Sequence, residues 1–122
     1  MRTKLMNQTQ IEALVDLLVL ATTIDLSFSS IETETLEKNL STAPWKSLIS
    51  LSSYINASFA RVRALNKLAE KEKYLHELCL QFDEDQMRRD AFMEIETVLK
   101  SDGLVIRESV FLEMVKHEFY LV

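Results

Sequence analysis

The chain has 122 residues, enough for one domain that buries roughly two-thirds of the surface its unfolded form exposes. Apolar residues make up 48% and charged residues 27%, globular values that exclude a disordered chain, and no apolar run is long enough to span a bilayer. The 14 basic and 19 acidic residues give a formal charge of -5, which argues against a general affinity for nucleic acid or an anionic membrane.

The first segment, "MRTKLMNQTQ", begins with charge but lacks the apolar region and small-residue cleavage site of a secretory signal, so cytoplasmic residence is the expectation. Ile11, Leu14, Val15, Leu18 and Ala21 then recur at helical spacing, and Leu17, Val19 and Leu20 widen the face until the helix must be largely surrounded. This predicts a first helix over residues 8–24, with Asp16 interrupting its apolar run. Ser29-Ser30-Ile31-Glu32 has capping-box spacing and predicts a second helix over 30–40. "STAP" marks a break, and Pro44, which lacks an N–H, suits a first helical turn. Trp45, Leu48, Ile49, Ser52 and Ile55 line one face after it, and the pattern continues through Phe59, Val62, Leu65 and Leu68. "AEKEK" fits either a turn or an exposed part of a longer helix, and the sequence leaves that boundary open. Tyr74, Leu75, Leu78, Cys79 and Phe82 resume the face; "DED" at 83–85 suits a turn and the start of a helix that Phe92, Ile95 and Leu99 carry to Lys100.

The only glycine, Gly103, follows Asp102 where that helix must stop, because glycine enters the left-handed conformation of a helix C-terminus without a Cβ penalty. Val110, Phe111, Met114, Val115 and Phe119 form the apolar face of a last helix, so "SDGLVIRES" reads as the elbow of a helical hairpin. An internal echo accompanies it: "LVLATTIDLSFSSIETETLEKNL" matches "IETVLKSDGLVIRESVFLEMVKH", with Asp25 on Asp102 and, after a one-residue gap, Glu32 on Glu108. The expected fold is all-α: one domain over 1–122, a compact bundle of about six helices built round two similar hairpins.

The two elbows supply Asp25, Glu32, Asp102 and Glu108, oxygen ligands of the kind that calcium or magnesium requires. The same carboxylates also suit helix caps and first helical turns, so metal binding and capping are alternative readings. The alternating acidic loop of an EF-hand is absent, and His76 and His117 stand far apart with no zinc-ligand spacing, which makes them surface or core-edge histidines. Cys79, the lone cysteine, sits in "YLHELCLQF" as a packing residue. No serine lies in a GxSxG elbow and no glycine-rich loop can cradle phosphate, so no catalytic residue is nominated and the chain is expected not to be an enzyme. The Lys and Arg residues of "ARVRALNKLAEKEK" and Arg88-Arg89 suit solvated helix faces or a small basic docking patch. "FYLV" at the end of the sequence suits core, or, if exposed, a partner surface or a homo-oligomer contact.

The elbows "TTIDLSFSSIETETL" and "KSDGLVIRESVFL", with "QMRRDAFMEIETVLKSDG" leading into the second, resemble the duplicated aspartate-glycine, apolar, glutamate elbows of TerB-like domains, the family of tellurite-resistance proteins. The resemblance spans roughly residues 11–119. It implies a helical bundle whose elbow carboxylates cluster on one face and bind a divalent cation or a protein partner in a bacterial stress response. Asp25 and Glu32 match the first elbow with Leu26 in place of its glycine; Asp102 and Gly103 match the second, with Glu108 one residue early. The alternative is a purely structural or partner-binding helical domain with no metal site.

Overall fold

The computed structural model describes residues 6–22, 38, 45–100 and 106–120. Its described elements are five α-helices in the order α1 (Gln8–Thr22), α2 (Leu51–Arg63), α3 (Leu68–Cys79), α4 (Asp85–Lys100) and α5 (Ile106–Glu118). No strand occurs among the described residues, and the expected all-α class holds. None of these helices is long and apolar enough to cross a membrane.

α1 begins where Asn7 and Gln10 cap one another. The Gln10 N–H donates to Asn7 Oδ1 at 2.8 Å, and the Asn7 N–H donates to Gln10 Oε1 at 3.0 Å. The amide of Gln10 also donates to the carbonyl of Gln81 at 3.1 Å, which fixes the start of α1 against the end of α3. From Ala13 to Ala21 every side chain is buried, and α1 packs against all four other helices. The surrounded helix expected from Leu17, Val19 and Leu20 is therefore the axis of the core. Around it, Leu75, Leu78 and Cys79 of α3, Ile95, Val98 and Leu99 of α4, and Phe111, Leu112 and Val115 of α5 close the interior. Phe82 and Phe119 meet edge-to-face with centroids 5.6 Å apart, joining the end of α3 to the end of α5.

The start of α2 differs from the sequence reading, and one boundary that it left open is resolved. Residues 45–50 are not helical, and α2 starts six residues later than a Trp45 start because Ser50 caps it, its Oγ accepting from the Ser53 N–H at 3.1 Å. Trp45 Nε1 donates to the Ile49 carbonyl at 3.0 Å and its ring meets Tyr54 edge-to-face, so the apolar residues assigned to one helical face instead brace a turn. Leu48 and Ile49 are consequently exposed. The open boundary near "AEKEK" resolves just before it: the Ala64 and Leu65 N–H groups close tight turns onto Arg61 and Val62, and α3 runs from Leu68 straight through the charged stretch. α4 begins and ends close to the expected places, α5 begins at Ile106, inside the stretch read as the elbow, and the two helices pack against one another. The predicted second helix, Pro44 and residues 101–105 of the elbow lie outside the described residues, apart from Lys38, which is helical; residues 106–109 of the elbow are the first turn of α5.

α5 stops at a residue that glycine would suit better. Tyr120 has φ 57°, the left-handed region, with its N–H on the His117 carbonyl at 3.1 Å. Phe119, 1% exposed, is seated in the core immediately before it, and Tyr120 itself is 83% exposed. Of the "FYLV" segment, then, Phe119 is core and Tyr120 is surface.

Candidate functional site

Of the four carboxylates nominated by the sequence, Asp25, Glu32 and Asp102 lie outside the described residues, and Glu108 is described only as part of the α5 backbone. Their convergence is therefore not a feature of the described structure. Among the described residues no three His, Cys, Asp or Glu side chains group as metal ligands would.

The described residues instead bring together two other features. The first is centred on Asp16, which the sequence marked only as an interruption. It faces α2, where Tyr54, Ser58 and Arg61 recur at i, i+4 and i+7 and so share one face. Tyr54 Oη donates to Oδ2 at 2.9 Å, Arg61 Nη2 donates to Oδ1 at 2.8 Å, and Ser58 Oγ donates to the same oxygen. The Arg61 guanidinium also lies 5.0 Å from the centroid of the Tyr54 ring. Asp16 is 6% exposed and Ser58 is fully buried, so their groups depend on each other rather than on water.

This arrangement sets the protonation of its members. Burial pushes the Tyr54 phenol above its usual range, and the negative charge and hydrogen bond of Asp16 add to the effect. Tyr74 of α3 is raised in the same way, first by burial and then by the charge of Asp16. Burial works against the charge on Arg61, but hydrogen bonding with Tyr74 and Asp16 outweighs it and holds the guanidinium more firmly charged. The cluster thus joins α1, α2 and α3 through a satisfied ion pair. It offers no nucleophile: the Ser58 hydroxyl is closed off from solvent and spends its proton directly on a carboxylate. A lone aspartate in a surrounded helix, together with Tyr, Ser and Arg on one face of another, is the signal from which the cluster could have been anticipated.

The second feature is a groove between α3 and α5. A cavity of about 370 Å³ has Leu75, Val110 and Met114 as its apolar surface, and Glu72 and Glu113 stand on its opposite helices. It adjoins a smaller apolar recess of about 70 Å³ that reaches Leu68, Phe111 and Leu20. Leu68 is 70% exposed and Val110 is 56% exposed, so the apolar surface continues outward from the groove. At one end His76 Nδ1 and Glu118 Oε2 approach to 2.7 Å, a clasp between the two helices. The exposed His76 and His117 are surface residues, as the sequence suggested. Cys79 lies beneath, its thiol pushed up to about 12 by burial, with a further contribution from Glu118. That makes it a packing residue rather than a nucleophile.

Several of the basic residues among the described ones are engaged separately. Arg61 reaches inward to Asp16, Arg88 pairs with Asp85 and with the Phe82 carbonyl, and Lys100 pairs with Glu96 on its own helix. Arg63 lies over the ring of Phe59.

No protein-family model, curated protein or solved structure matches the chain.

Proposed function

We propose that the chain is a non-enzymatic helical interaction module whose α3–α5 groove receives a segment of another protein. The observation that carries this reading is the groove itself, an apolar surface open to solvent between two helices and flanked by carboxylates. Exposed apolar surface rimmed by polar residues is one mark of a ligand-binding groove. Its position is fixed by the packing of α3 and α5 on α1, so the two walls are held in place before a partner arrives.

The TerB-like assignment, with about six helices round two similar hairpins, belongs to the same proposal. It is supported by the helical class, by the packing of α4 against α5, and by the echo between the two acidic elbows. Of the two roles that the resemblance implies, the partner-binding one has the groove in its favour. The divalent-cation role of Asp25, Glu32, Asp102 and Glu108 rests on the elbow sequences.

A displayed library of random peptides tests the interaction reading. Clones selected on the wild-type protein should be lost on a Val110→Asp variant, which charges the groove at an exposed position and so leaves the fold intact by circular dichroism. Selection that yields no clone sensitive to Val110→Asp would exclude the groove as a binding site.

A further inference from the structure

The groove's charges specify what kind of segment fits it. Among the described residues its polar lining is Glu72, Glu113 and Glu118 against Lys71, with His117 beside them, a formal balance of -2 with the histidine neutral. Glu118 is engaged by His76, but Glu72 and Glu113 have no cationic partner among the described residues. Two carboxylates unpaired among the described residues thus stand on the two helices that flank an apolar surface, and the site attracts cations at its edges and apolar groups at its centre.

The walls also constrain the backbone of the occupant. Both are α-helices, whose N–H and C=O groups are spent within each helix, so an extended peptide would find no ladder partners in the groove. A helical segment brings its own backbone satisfied. From Leu68 to His76 the groove runs about 12 Å, or roughly two helical turns. Apolar side chains spaced i, i+3 or i+4, and i+7 on one face would reach Leu75, Met114 and the recess at Phe111.

We propose that the α3–α5 groove binds a short amphipathic helix of a partner protein whose apolar stripe is flanked by Lys or Arg residues that pair with Glu72 and Glu113. This rests on the interaction reading above and names its ligand class. A second copy of the chain fits less well, because an isologous contact across the groove would bring these glutamates toward their own copies. An anionic membrane surface is disfavoured by the same carboxylates.

The test is a displayed library of helical peptides in which the apolar anchors are fixed and the flanking positions are randomised. Selection on the wild-type protein should enrich Lys and Arg at the flanks, and selection on a Glu72→Lys, Glu113→Lys variant should enrich Asp and Glu instead. A synthetic Lys-flanked peptide should then bind the wild-type protein about tenfold more tightly than its Glu-flanked counterpart, with the gap closing at high salt. Groove-dependent clones with unbiased flanks would overturn the charge assignment while leaving the interaction reading standing. No clone lost on Val110→Asp would overturn both. Concentration-dependent dimerisation abolished by Val110→Asp would make a second copy the occupant and overturn the proposal.

Discussion

Replacing Asp16 by alanine removes the acceptor for three side chains at once, and the cost can be worked from their burial. Ser58 is fully buried and Tyr54 is 9% exposed, so both hydroxyls lose their partner where water does not readily replace it. An orphaned buried donor costs about 1–3 kcal/mol. The Arg61 side chain is 46% exposed, so its guanidinium rehydrates and adds less than the ~3–5 kcal/mol typical of breaking a fully buried pair. The expected loss for Asp16→Ala is about 3 kcal/mol, or roughly 10 °C in melting temperature for a domain of this size. Urea denaturation followed by circular dichroism measures it, with the slope of the transition showing whether folding remains two-state. Arg61→Ala, which leaves the buried Asp16 carboxylate with two neutral donors and no counter-charge, should cost about as much, roughly 3 kcal/mol. A loss below about 1 kcal/mol for Asp16→Ala would refute the reasoning, since it would mean that the cluster is open to water.

Four further outcomes follow from the same structure. Tyr54, Tyr74 and Cys79 all have folded-state pKa values raised by burial, so the folded form holds protons that the unfolded chain has released. Their contribution is complete below the unfolded values, and stability should fall as pH rises from about 9; urea midpoints between pH 7 and 11 check this, and a flat profile would contradict it. Cys79 should react with a disulfide reagent only as fast as the fold opens, so mild urea should accelerate labelling. Tyr120→Gly should stabilise by up to about 1 kcal/mol by removing a Cβ from a left-handed position, as read from thermal unfolding. Binding of a Lys-flanked peptide should survive a chelator unchanged, because the groove uses side-chain charge and apolar surface; calorimetry with and without EDTA would reveal any dependence on an ion.

Periodicity made the core helices legible. The apolar stripe of α4 is nearly continuous and burial follows it closely, whereas α1, apolar almost all round, is buried on every face from Ala13 to Ala21. The start of α2 was less legible because two local signals compete in one stretch. Pro44 permits a helix, but the Ser50 side chain caps one later, and the Trp45 indole ties the intervening carbonyl of Ile49 into a turn. The break before α3 was hidden because the apolar pattern carries across Leu65 and Leu68 while the backbone turns between them.

The functional features were harder to see. Asp16 stood out in sequence only as a gap in hydrophobicity, since its partners lie 38 to 45 residues away and pair with it only once α2 docks. The groove depends on how closely α3 and α5 approach, and no stripe along either helix encodes that distance. Val110 and Met114 were assigned to the apolar face of the last helix, yet Val110 is exposed and Met114 half-buried because they line a gap rather than the core. The acidic elbow residues, which were prominent in sequence, fall outside the described residues or, for Glu108, are described in backbone alone.

The most direct test of the account is amide chemical-shift mapping of the isotope-labelled protein titrated with a Lys-flanked amphipathic peptide. The account predicts saturable shifts concentrated between Leu68 and His76 and between Val110 and Glu118, weakened by Glu72→Gln with Glu113→Gln. Shifts centred elsewhere, such as on the Trp45–Ser50 turn, or no saturable shifts at all, would contradict it.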